Sequence, residues 1–190
     1  MPDRALKLAI GALWLAWFGY WFISARNVKP TRRRESVGSH LTHRVPLILA
    51  GLLYVAPDWF PAALSRRFLP PGNLVPAAGV LLVAAGLGFS VWARIHLGRN
   101  WSAEVVVKQD HALIRSGPYR YVRHPIYSGM LLAFLGMALA WGEWRGLLAL
   151  ALVLASFVRK SRTEEAFMRE TFPEYAEYQR ETRALIPFVY

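Results

Sequence analysis

The stretch IYSGMLLAFLGMALAWGEWRGLLALALVLASFV, residues 126–158, contains only two charged side chains, Glu143 and Arg145. Its apolar runs, 126–141 and 144–158, are separated by nothing but Gly142-Glu143. Each run falls slightly short of the roughly 20 residues with which a helix crosses a bilayer. A two-residue link holds such runs antiparallel and side by side. The stretch therefore predicts a tight helical hairpin set in a membrane.

Outward from this hairpin, three more apolar runs cover 6–23, 45–60 and 74–92, so the chain reads as all-α with about five transmembrane helices. The composition agrees. Of 190 residues, 55% are hydrophobic and 18% charged, where soluble domains carry about 45–50% and about 25%. Apolar runs spread from end to end predict one membrane domain over 1–190, with three helices in 1–95. Arg4 and Lys7 around the start of the first run and Ala25 after it resemble a signal peptide. Trp14, Trp17, Tyr20 and Trp21 suit interfacial anchors instead, with Arg26, Lys29, Arg32, Arg33 and Arg34 as a stop-transfer cluster. The absence of cysteine excludes disulfides, thiolate metal sites and a cysteine nucleophile.

A net charge of +11 would suit nucleic acid, but its placement points elsewhere. Segments 24–44, 94–125 and 159–190 hold six Lys or Arg each, and the rest of the chain holds five. With five spans these three regions fall on one side, which the positive-inside rule makes cytoplasmic. The N terminus is then outside and the C terminus cytoplasmic. Basic residues 29–34 read as a topology determinant that attracts anionic lipid, and no nucleic-acid partner is expected.

Two long polar regions share that cytoplasmic side, and chemistry is expected in them. In the first, 105–107 and 113–114 have short extended character and Gly117-Pro118 marks a turn. His124-Pro125 then opens a helix, which places an imidazole beside unpaired N–H groups able to receive an anion. In the second, Lys160 and Glu164 share a helix face with Arg162 to one side. Thr171 to Glu174 fits a capping box that restarts a helix, with Pro173 in its first turn.

These residues resemble the isoprenylcysteine carboxyl methyltransferases and their phospholipid-methyltransferase relatives. The resemblance covers roughly 96–190. It rests on Leu113-Ile-Arg-Ser-Gly-Pro-Tyr119, Arg123-His-Pro-Ile-Tyr127 with Gly129, the hairpin, Arg162-Thr-Glu-Glu165, Phe172, Tyr175, Tyr178 and Ile186-Pro187. It implies S-adenosylmethionine as cofactor, enclosed by the loop between helices three and four and by a helical C-terminal tail. The cofactor positions carried over are Lys108, His111, Leu113, Ile114, Tyr119, Arg123, His124, Pro125, Ile126 and Glu164. The family's acceptor-orienting Arg falls at Lys160, which keeps the charge but lacks the guanidinium fork. Arg159 or Arg162 would have to supply that fork.

Methyl transfer from a sulfonium is an in-line displacement that requires alignment, with no metal or covalent nucleophile. The lipophilic acceptor implied is a carboxylate such as that of a prenylated cysteine. An amine acceptor would need a base, with Glu104, His111 and Tyr127 as candidates. Two other readings stand beside this one. An NADPH-dependent reductase of the steroid 5α-reductase kind shares the Leu185-Ile-Pro-Phe188 ending. A transporter or assembly protein would use small residues such as Gly79, Ala84, Gly86 and Gly88 for packing, but its ionisable residues belong in mid-membrane. Oligomeric state is not legible.

Overall fold

The structure is a computed structural model that describes residues 4–26, 28, 31–34, 36–70, 72, 74–101, 106–108 and 113–187. At 31–34, 37 and 106–108 it describes the backbone alone. Five long helices dominate: α1 (Arg4–Ser24), α2 (Val37–Val55), α3 (Leu74–Leu97), α4 (Pro125–Trp141) and α5 (Trp144–Thr171). A short α6 (Tyr175–Glu181) follows, and strands β1 (Thr31–Arg34) and β2 (Val106–Lys108) join as an antiparallel pair. Among the described residues, α1 and the helix beginning at Leu74 are long and apolar enough to cross a membrane; α4 is apolar but shorter.

Glycine decides how α3 and α4 meet. A Cβ on Gly79 would lie 2.5 Å from the Gly136 carbonyl oxygen, and one on Gly136 the same distance from that of Gly79. Seven residues along each helix, Gly129 stands in the same relation to Gly86. Two heptad-spaced glycines on each helix thus bring the backbones into contact along one seam. Gly88, expected among the packing residues, is exposed. Around this seam α1 packs on α3, and α2 on α5.

The hairpin forms as its spacing predicts. Gly142 closes α4 in the left-handed conformation, φ 63°, with its N–H on the Ala138 carbonyl. This end is fastened by buried charge: Arg145 donates to Glu143 at 2.5 Å and to the Leu53 carbonyl at 3.0 Å. Arg67 donates to the Trp141 carbonyl at 3.0 Å.

Three expectations need correction. The second helix lies at Val37–Val55 and not 45–60, because the Ser36 hydroxyl accepts from the Ser39 N–H and starts it early. Pro57 follows its end and opens a short 3-10 turn. Beyond its apolar run the fifth helix carries Lys160 and Glu164, as their spacing implies, and it ends at Thr171. No capping box restarts the chain at Thr171, whose hydroxyl donates back to the Phe167 carbonyl; α6 begins after Glu174 with no side-chain cap. Residues 113–114 form no strand, and β2 pairs with the basic segment at β1.

The three basic regions gather at one end of the bundle. Arg94 near the end of α3 donates to the Ser24 carbonyl at the end of α1, 2.7 Å, and covers the Trp101 ring at 4.6 Å. Ser156 of α5 donates to the His43 carbonyl of α2 at 2.5 Å. The start of α4 and the charged part of α5 complete this end.

Candidate functional site

Gly117 adopts φ 58° as the chain turns into the 3-10 segment Gly117–Arg120. A Cβ there would run into the His96 ring, so only glycine fits. The turn buries Tyr119, whose carbonyl accepts from the Tyr178 hydroxyl at 2.6 Å. Next, the tail lies along residues 122–128. Val122 bridges Arg183, the Arg123 N–H donates to the Arg183 carbonyl, and the His124 N–H donates to that of Ala184. Ser128 adds a hydrogen bond to the Leu185 carbonyl. Residues far apart in sequence are thereby locked as one wall.

Behind this wall sits a compact ionic network. Arg123 donates through Nε to Glu165 at 2.7 Å and through Nη1 to the carbonyls of Thr182, 2.5 Å, and Gln179, 3.2 Å. His124 Nδ1 lies 3.2 Å from Glu164 Oε2, and its Nε2 lies 3.2 Å from Glu165 Oε1. Ionised carboxylates only accept, so both contacts are hydrogen bonds only when the imidazole carries two protons. Burial opposes that charge, but the two carboxylates outweigh it and raise the His124 pKa. Burial likewise opposes ionisation of Glu165, yet His124 and Arg123 bring its carboxyl down to about 2. Glu164 is lowered too: against burial act His124, Lys160 and the Tyr127 hydroxyl, which donates to it at 2.7 Å. Burial pushes the phenols of Tyr119, Tyr175 and Tyr178 upward, which keeps them neutral.

An aromatic stack carries the network toward the bundle interior. The His124 and Tyr127 rings are parallel at 5.4 Å, and Tyr127 stacks on Phe157 at 4.5 Å. The Lys160 ammonium lies 5.5 Å from the Tyr127 ring centre.

This cluster forms the polar end of a cavity of about 470 Å³, within the size range of small-molecule sites. Of the residues predicted from sequence, Leu113, Ile114, Tyr119, Arg123, His124, Ile126, Glu164 and Lys160 all line it. Pro125 is buried in the first turn of α4, where it shapes the helix start without reaching the cavity. Arg162 is exposed and borders a separate hollow of about 240 Å³ on the far side of the Arg123–Glu165 pair. The Lys108 side chain, His111 and Glu104 lie outside the described residues.

Two groups of residues were not anticipated. Glu165, unassigned beside Glu164, holds the tail through Arg123, His124 and Gln179, the last at 2.7 Å. More consequential is α1, whose Trp14, Trp17, Phe18 and Trp21 form an apolar side of the cavity. Trp14 and Trp17 were expected to be interfacial anchors. They turn inward because Trp17 Nε1 donates to the Ser90 hydroxyl at 2.7 Å and Trp14 Nε1 to the Met137 sulfur at 3.2 Å. Their i,i+3 and i,i+4 spacing with Phe18 and Trp21 was the available signal.

An all-helical bundle carrying an ion-paired, aromatic-walled cavity at one end defines a class of membrane protein, and comparison places the chain within it. Residues 74–175 match the family model described as phospholipid methyltransferase. The chain belongs to that family. Among curated proteins, it is 32% identical over 75% of its length to the cobalt-zinc-cadmium resistance protein CzcN of Cupriavidus metallidurans, covering 60% of that protein. It is 34% identical over 51% of its length to the protein-S-isoprenylcysteine O-methyltransferase of Schizosaccharomyces pombe, covering 43%. The chain thus spans about half of these relatives' length. A solved structure of the eukaryotic intramembrane Ras methyltransferase ICMT shares the fold, with TM-score 0.51 and 20% identity over 82% of this chain and 54% of that one. Family and apolar helices together make this a membrane protein.

Proposed function

We propose that this chain is an S-adenosylmethionine-dependent methyltransferase whose acceptor is lipophilic, a carboxylate such as that of a prenylated cysteine. The observation that carries this reading is one cavity joining a charge-paired end, at His124, Glu164 and Lys160, to a wall of tryptophan and phenylalanine. Methyltransferases among its relatives support it. So does the chemistry of the donor set. A carboxylate lowered in pKa and flat aromatic faces suit a cationic adenosyl ligand, and a lysine suits an anionic acceptor.

When bound, S-adenosylmethionine supplies a methyl group activated by its sulfonium. The chain's residues hold and orient. Glu164, kept ionised by His124 and fixed by the Tyr127 hydroxyl, offers a carboxylate that needs no reorganisation on binding. Tyr119, behind the tail, and the Tyr127 ring exclude water from the polar end. Lys160 draws an acceptor carboxylate, already ionised at neutral pH, toward that end, so that alignment is what the protein contributes. Residues 96–190 form the catalytic part of one membrane domain, with five spans, an external N terminus and the cavity's polar end at the cytoplasmic face.

Calorimetry in detergent tests the cofactor assignment. S-adenosylhomocysteine binds and NADPH does not. Binding of NADPH without any response to the methyl donor or its product would move the protein to the reductase class.

A further inference from the structure

Glycines in this bundle fall into two kinds. At 79, 86, 129, 136 and 146 a Cβ would strike a neighbouring helix, and the absence of a side chain serves packing. Gly51 is different. It lines the cavity from α2, and a Cβ there would meet nothing within 4 Å. Its bareness therefore leaves open space where a side chain would stand.

That space lies deep in the apolar arm. Gly51 stands eight residues along α2 from His43, whose carbonyl meets Ser156, and two before Leu53, whose carbonyl meets Arg145 beside the hairpin turn; Trp14 and Phe134, which also line the arm, meet edge to face at 5.7 Å. Along α4 the floor at Phe134 is ten residues from His124, a drop of about 15 Å at 1.5 Å per residue. A zigzag hydrocarbon advances about 1.25 Å per carbon for bonds near 1.5 Å, and the polar end takes part of this length, so the arm holds at most about a dozen carbons. On either side stand α1 and α2, each packed on a different helix, α3 and α5.

We propose that Gly51 is the specificity-determining residue for the acceptor's hydrocarbon chain: it leaves room for the chain's distal part between α1 and α2. This rests on the methyltransferase reading of the same cavity. A side chain at 51 shortens the arm without touching the polar end.

Two measurements on the full chain in lipid test it. First, wild type, Gly51→Ala and Gly51→Val are assayed with N-acetylcysteine carrying geranyl, farnesyl or geranylgeranyl groups. Gly51→Val lowers kcat/KM for farnesyl and geranylgeranyl acceptors about ten- to a hundredfold, the scale of two or three lost methylene contacts. Geranyl turnover and S-adenosylhomocysteine affinity stay within about twofold, and Gly51→Ala falls between. A loss equal across chain lengths would overturn the proposal. Second, a farnesyl cysteine tipped with a photoreactive group labels residues around 51 and 134 in wild type, and Gly51→Phe abolishes this labelling. That readout does not require methyl transfer. Labelling without turnover would sink the methyltransferase reading alone, and labelling elsewhere would sink the role of Gly51.

Discussion

Arg123→Ala should release the C-terminal tail while leaving the helical bundle closed. The guanidinium is 11% exposed and ties α5 to the tail by its ion pair with Glu165 and by bonds to the Thr182 and Gln179 carbonyls. Truncation leaves a buried carboxylate short of its cation and two carbonyls without that donor. Breaking a buried pair from one side costs about 3 to 5 kcal/mol. The tail keeps its backbone bonds at Val122, Arg123 and His124, so the loss acts on tail opening. At about 1.4 kcal/mol per decade, the opening equilibrium rises by roughly 10² to 4 × 10³. Hydrogen exchange in detergent micelles reads it: amides of α6 and the segment up to Pro187 speed up by that factor, and those of α3 and α4 do not change. Arg123→Lys retains charge without the fork and falls between. Unchanged exchange in α6, or equal acceleration in every helix, would refute the reasoning.

Further outcomes follow from the geometry. The His124 pKa is raised by two carboxylates, so the stability it contributes is complete below about 6.5, the ordinary histidine value, and is lost as pH rises through the higher folded value. Glu165 contributes above the ordinary carboxylate range and loses its share only as pH falls toward about 2. Thermal midpoints in detergent thus decline on the alkaline side, and His124→Gln flattens that decline. Gly136→Val places a side chain where the Gly79 carbonyl already sits, and parting α3 from α4 costs about 1 to 3 kcal/mol or more by chemical denaturation. Glu164→Ala weakens S-adenosylhomocysteine binding about ten- to a hundredfold, the loss of one charge-assisted bond. Lys160→Ala leaves that affinity intact and lowers acceptor kcat/KM, and Arg162→Ala, outside the cavity, changes kcat/KM less than Lys160→Ala does.

What could be read from sequence divides by the range of the interaction. The hairpin was legible because only Gly142-Glu143 separates two apolar runs, and His124-Pro125 because proline suits a first turn. Both are local. The helical continuation of α5 was legible in the Lys160–Glu164 spacing, but the partners of Glu165, Arg123 before α4 and Gln179 in the tail, lie far along the chain, where no spacing shows them. Pairing of β1 with β2 joins segments more than 70 residues apart, beyond any periodicity argument. Cavity positions in α4 and α5 followed the family motif, whereas the tryptophans of α1 carry no motif. Their inward face is set by Ser90 and Met137 on other helices.

The most direct measurement is transfer itself. Purified protein in lipid is given S-adenosylmethionine labelled on its methyl group, with N-acetyl-S-farnesylcysteine, its carboxyl-blocked amide and phosphatidylethanolamine as separate acceptors. Label enters the free farnesylcysteine as a base-labile ester, the blocked amide stays unlabelled, and Glu164→Ala slows the reaction about ten- to a hundredfold at subsaturating donor. Label in no acceptor, from protein that binds S-adenosylhomocysteine, would contradict the assigned acceptor class. Label in phosphatidylethanolamine alone would replace the carboxylate with an amine.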